Sequence, residues 1–121
     1  MLVETAERFR QIPFGREAAR LIDACVQCGQ CTVRCPTFRL TNDEWDGPRG
    51  RIYLTKQFLE DRAPTLRLLP PAYELRRLTS PDFRQDVRFY LDRCLGCRSC
   101  EASCPQGVRY GRLLDFARVL L

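Results

Sequence analysis

Histidine is missing from all 121 residues, which removes the commonest general acid–base side chain. Lysine is almost missing: Lys56 is the only one, so the 20 basic residues are nearly all arginine. No apolar run approaches the length of a membrane span, and the longest are pieces such as Val119-Leu120-Leu121. Met1 to Gln11 contains Glu4, Glu7, Arg8 and Arg10 and no apolar stretch, so no secretory leader is expected. Nucleotide fingerprints are absent as well, since Gly47-x-x-Gly50 fits neither a dinucleotide loop nor a P-loop and reads as a turn. No run alternates as a strand would. The length suits a single domain over 1–121, and an apolar fraction of 45% is ordinary for a globular chain.

What is abundant is cysteine, eight residues in two copies of one spacing with none left over. The first copy is Cys25-x-x-Cys28-x-x-Cys31-x-x-x-Cys35-Pro36 and the second is Cys94-x-x-Cys97-x-x-Cys100-x-x-x-Cys104-Pro105. This is the bacterial-type iron–sulfur signature, repeated. Three cysteines two residues apart can wrap a loop around one [4Fe–4S] cube. The fourth, held off by three residues and stiffened by proline, points to the other cube in two-cluster ferredoxins. Exchanged ligation is therefore expected: Cys25, Cys28, Cys31 and Cys104 for one cluster, Cys94, Cys97, Cys100 and Cys35 for the other. A zinc ribbon wants two Cys-x-x-Cys knuckles, not a third and fourth cysteine beside each. A disulfide framework suits a small secreted domain, and without an export signal a reducing cytoplasm is expected instead.

Once all eight thiols are ligands, no nucleophilic thiol and no open iron site remain. Such a chain passes single electrons and is expected to be non-catalytic itself. Because the clusters supply part of the folding energy, the metal-free chain is expected to be poorly folded. The formal charge of +5 counts the cysteines as neutral. Each oxidised cluster with its thiolates adds roughly −2, leaving the loaded protein near +1 and removing most of the case for nucleic acid. The arginines are scattered as solvated helix faces. Arg34, Arg93 and Arg98 are, by proximity in sequence, the ones that would raise a cluster's potential. Gly29 and Gly96 sit inside the loops, where positive φ and close backbone approach are wanted. Gln27, Gln30 and Thr32 read as exposed loop residues.

Helical period dominates the rest. Gly15 to Ala24 reads as a helix, with Ala18, Leu21, Ile22 and Cys25 on one face. After Pro36 a polar loop is expected through Asn42–Trp45 to a tight turn at Gly47-Pro48-Arg49-Gly50. A second helix is expected from about Arg51 to Asp61, with Tyr53 or Leu54 and Phe58 turned inward. Pro64, Pro70 and Pro71 interrupt the next stretch, with a short helical piece near Ala72 to Leu78. Ser80-Pro81-Asp82 is a good helix start. Phe83, Val87, Tyr90, Leu91 and Cys94 then keep helical period into the second motif. The last helix should begin near Val108, with Leu113, Phe116, Ala117 and Leu120 on one side. The reading is all-α, and the 58 residues between Cys35 and Cys94 set it apart from the compact strand-based ferredoxin. It is similar to the α-helical ferredoxin domains of larger redox complexes.

Asp43-Glu44-Trp45-Asp46-Gly47-Pro48-Arg49-Gly50-Arg51-Ile52-Tyr53-Leu54 is the most distinctive stretch outside the cysteines. With Cys25-Val-Gln-Cys28-Gly29-Gln-Cys31 and the run from Cys94 to Tyr110, it closely resembles the iron–sulfur subunits of bacterial glycolate oxidase. The likeness covers about Cys25 to Leu59 and Asp92 to Arg118. It implies two [4Fe–4S] clusters, an FAD-containing oxidase subunit as donor and a quinone-linked acceptor. The substrate would be glycolate or a related 2-hydroxy acid, and any membrane contact would run through partners. Family members continue into domains with Cys-Cys-Gly motifs, whereas this sequence stops at Leu121 inside an apolar helix pattern. A cysteine-rich domain or subunit is therefore expected beside it. The link from Glu60 to Arg88 is longer and richer in proline than the family's usual one. Two other readings share the cysteine repeat: a subunit of a heterodisulfide-reductase-like or glycerol-3-phosphate-dehydrogenase-like complex, and a cluster-based redox sensor. The sensor lacks support from any recognition helix or basic run.

Overall fold

A computed structural model describes residues 3–5, 7–60 and 83–121. Among these the chain is helical, with no strand, as its periodicity implies. The helices are α1 (Glu7–Arg10), α2 (Pro13–Asp23), α3 (Pro36–Thr41), α4 (Pro48–Leu59), α5 (Phe83–Asp92), α6 (Ser99–Ala102) and α7 (Tyr110–Leu120). Single 3-10 turns at Thr32–Arg34 and Glu44–Asp46 precede α3 and α4. The expected helical piece at Ala72 to Leu78, the three proline breaks and the Ser80-Pro81-Asp82 start lie outside the described residues.

Proline sits in the first turn of α2, α3 and α4, where its missing N–H costs nothing and its φ is already helical. Pro36 therefore starts a short helix where a polar loop is expected, with Cys35 as its N-cap residue. Gly47-Pro48-Arg49-Gly50 differs too: it is the N-cap and first turn of α4, three residues earlier than the apolar pattern suggests. Proline followed by glycine two residues on satisfies a turn and a helix start equally well. The close approach of α4 to the preceding 3-10 turn decides between them, because a Cβ on Gly50 would overlap the backbone carbonyl of Glu44.

Helix α2 packs on α7 and α4 packs on α5, while α2–α4, α5–α7 and α4–α7 contacts close the group. Ala18, Ile22, Val87, Tyr90, Leu91, Leu113 and Ala117 form the core as their spacing requires, each 4% exposed or less. Leu54 is buried, and Tyr53 and Phe58 are half-buried. The deepest α4 residues are Ile52, Leu54, Thr55, Leu59 and, unusually, Arg51. Each large apolar side chain removed from water stabilises the fold by about 1.5–3 kcal/mol. None of the described helices is long and apolar enough to cross a membrane.

This packing joins the two cysteine motifs. Each follows a long helix, α2 or α5; the first leads into the short α3 and the second into α7. Arg118 of α7 donates to the carbonyls of Leu91 and Cys94, both at 2.8 Å, anchoring the second motif where it leaves α5. Thr37 of α3 donates to the carbonyl of Arg93 at 3.4 Å, tying the end of the first motif to the start of the second.

Candidate metal centre

The two motifs fold as repeats of one backbone. Cys25 N donates to Ile22 O and Cys94 N to Leu91 O, each reaching back three residues off the preceding helix. Thr32 N to Gly29 O matches Glu101 N to Arg98 O, both 3.0 Å. Cys35 N to Thr32 O matches Cys104 N to Glu101 O. Left-handed residues also recur in register: Gln27 (φ 59°) with Gly96 (φ 69°), and Gly29 (φ 80°) with Arg98 (φ 58°). The positive φ expected at the loop glycines is therefore present. Each loop needs two such residues, and each fills only one with glycine, in opposite positions. Holding Gln27 and Arg98 there costs of order 1 kcal/mol each, a sign that the loop conformation is imposed by its task.

All eight cysteines are free thiols. Among the described residues no three His, Cys, Asp or Glu side chains lie close enough to hold a single metal ion. The cysteines instead ring two hollows. Cys25, Cys28, Cys31 and Cys104 line the first, together with Cys100. Cys35, Cys94, Cys97 and Cys100 line the second. Cys100, Pro48 and Tyr110 line both, so the two hollows share part of one wall. Cys28 on one hollow and Cys97 on the other are exposed, while Cys25, Cys35 and Cys100 are buried.

Donors are aimed at the sulfurs. Gln27 Nε2 lies 3.4 Å from Cys25 Sγ, Val108 N 3.4 Å from Cys104 Sγ and Gly96 N 3.5 Å from Cys94 Sγ. Such bonds stabilise thiolates. Gln27 is thus half-buried and working as a donor, and Thr32 is buried, so neither is the exposed loop residue the sequence suggests. Gln30 is exposed as expected. Burial pushes the Cys100 thiol up to about 12, helped by the neighbouring Cys31 and Cys94 sulfurs. Burial also raises Cys31, opposed by its hydrogen bond with Thr32. Exposed Cys97 moves the other way, lowered by hydrogen bonds from the Ser99 side chain and backbone at the start of α6.

The Asp46–Arg51 segment lies between the hollows. Pro48 touches both, Arg49 lines the first and Arg51 the second. Arg49 Nε pairs with Glu44 at 2.6 Å on the half-exposed rim. Arg51 is 1% exposed, and its Nε donates to Tyr90 O at 2.7 Å while its NH1 lies 3.9 Å from Cys35 Sγ. Of the arginines that sequence proximity suggests, Arg98 lines the second hollow, Arg93 turns to Asp46 at 3.1 Å, and Arg34 is exposed. Arg49 and Arg51 are missed by that criterion because α4 brings them in from well beyond the first motif.

The residues present fit sulfide-bridged iron. Each hollow carries four or more sulfurs, and buried polar atoms without hydrogen-bond partners belong to lining residues: Tyr110 Oη and one nitrogen of Arg51. The Tyr110 phenol is held neutral, its pKa raised well above 10 first by burial and then by the Cys94 sulfur, so it remains a donor. A family model for the 4Fe-4S dicluster domain matches residues 21–108. The chain belongs to that family. Membership in the dicluster family brings two [4Fe–4S] clusters and, with them, an electron-transfer role. Over 98% of its length the dicluster chain is 45% identical to the glycolate oxidase iron-sulfur subunit of Escherichia coli, covering 24% of that protein. A probable glycolate oxidase iron-sulfur subunit of Bacillus subtilis is 38% identical over 80% of the chain and 18% of its own length. An Hdr-like menaquinol oxidoreductase iron-sulfur subunit of Archaeoglobus fulgidus is 26% identical over 83% of the chain and 18% of its own. The chain thus spans no more than a quarter of these relatives. No solved structure is a significant match.

Proposed function

We propose that this domain relays single electrons from a flavoprotein 2-hydroxy-acid oxidase of glycolate type towards a quinone-linked acceptor. Cys25, Cys28, Cys31 and Cys104 would hold one cluster, and Cys35, Cys94, Cys97 and Cys100 the other. The observation that carries the reading is the pair of sulfur-lined hollows sharing the wall of Cys100, Pro48 and Tyr110. Bound there, [4Fe–4S] clusters supply one-electron carriers, which split the two-electron oxidation of a hydroxy acid into single steps. Exposed Cys28 and Cys97 give each hollow an edge facing outward, one for entry and one for exit. The residues between stay closed: Tyr110 is buried and neutral, and Ile52 and Val108 keep water from the wall of the first hollow.

The hydroxy-acid partner is supported by the 45% identity to a glycolate oxidase subunit, against 26% to the Hdr-like one. A cysteine-rich domain or subunit is the further partner, as the resemblance implies. The test is direct. Anaerobically purified protein should contain about eight irons and eight sulfides. Mixed with the flavoprotein oxidase and glycolate or lactate, its iron–sulfur absorbance should bleach. Bleaching with no 2-hydroxy acid, but with a thiol–disulfide partner instead, would overturn the assignment.

A further inference from the structure

We infer that the buried Arg51 guanidinium sets the reduction potential of one cluster above that of the other. The affected cluster is the one bound at Cys35, Cys94, Cys97 and Cys100, so the inference rests on the exchanged-ligand reading above. Arg51 is among the largest fully buried side chains in the molecule, 1% exposed. Placing an ion there carries a desolvation penalty, and its bond to Tyr90 O uses only Nε, a task any neutral donor could perform. The other two nitrogens have a different use. NH1 lies 3.9 Å from Cys35 Sγ, and NH2 has no hydrogen-bond partner, 3.7 Å from Asp46 Oδ1.

Arg51 lines the second hollow, with its guanidinium against Cys35 Sγ, whereas Asp46 is not part of that lining and has Arg93 at 3.1 Å on its other oxygen. Reduction adds one negative charge to a cluster. A fixed positive charge near a ligating sulfur favours that state, most strongly where water is excluded. Among the described residues the first hollow has no arginine buried to the same degree: Arg49, whose charge does act on Cys31 and Cys28, is 35% exposed in its side chain and already paired with Glu44. Its charge is screened by solvent. Asp46, fully buried, opposes Arg51 but shares its charge with the nearer Arg93.

The experiment is an EPR-monitored redox titration of the full chain with both clusters assembled. Arg51→Gln should shift the midpoint of one cluster to lower potential and leave the other in place. Arg51→Lys, which keeps the charge but not the planar fork, should fall between. Asp46→Asn, nearly isosteric, should move the same cluster the opposite way; should Arg51→Gln fail to assemble, Arg51→Lys carries the test by lowering that one midpoint alone. Equal shifts in both clusters, no shift, or the same direction in both variants would make Arg51 a structural tie only. Cys35→Ser and Cys94→Ser identify the signal. If Cys35→Ser and Arg51→Gln disturb one cluster and Cys94→Ser the other, exchanged ligation fails while Arg51 keeps its role on the Cys35 cluster.

Discussion

Two glycines that look alike in sequence are held to different standards by the fold. Gly50 lies where α4 crosses the backbone of Glu44, and an added Cβ would overlap that carbonyl. Gly96 has positive φ, and an added Cβ there would meet no protein atom within 4 Å. Gly50→Ala should therefore lower stability by about 1–3 kcal/mol, since backbone must shift. As far as protein atoms go, Gly96→Ala should cost about 1 kcal/mol, from the left-handed conformation. Thermal unfolding of the loaded protein measures both, and an equal cost would show that space around Gly50 is not what matters. Residue roles are legible in sequence where one side chain has one use. The cysteines are in that class, and so is the positive φ of Gly29 and Gly96. Gln27 and Arg98 are not, because the repeat puts ordinary residues into the same left-handed backbone.

Helices show the same division. The faces of α2, α5 and α7 could be read because apolar residues recur every three or four positions, and Ile22, Val87 and Leu113 are buried accordingly. Short α3 and α6 carry too few residues to show a period; α3 is fixed by the first motif that it follows and α6 by the second motif that contains it. The start of α4 was hidden because Gly-Pro-Arg-Gly has turn composition, and only tertiary crowding reveals the helix. Leu113 lies at 1% exposure in the core, on the helix that packs against α2, α4 and α5. Leu113→Ala should cost about 2–5 kcal/mol, read as a lower unfolding temperature with iron content unchanged. A large loss of iron at unchanged stability would place Leu113 with the metal centre instead.

At the scale of the whole molecule, the described core is modest and is built around space for inorganic material. Cys25 and Cys100 belong to the same buried cluster as Ile22 and Leu91, so the metal sites are continuous with the apolar interior. Removing iron should therefore leave buried thiols without partners and loosen the packing as a unit. Reductive chelation followed by circular dichroism should show helicity falling with iron content; full helicity in the iron-free chain would separate folding from the clusters. The matched hydrogen bonds of the two motifs carry one more consequence. Each half, 1–60 and 83–121, brings a complete loop but, under exchanged ligation, no complete site. Made as separate peptides, the halves should remain apart in the absence of iron and recombine when it is supplied with sulfide. The metal would then act as a clasp, and the covalent connection between the halves would be dispensable for their recognition.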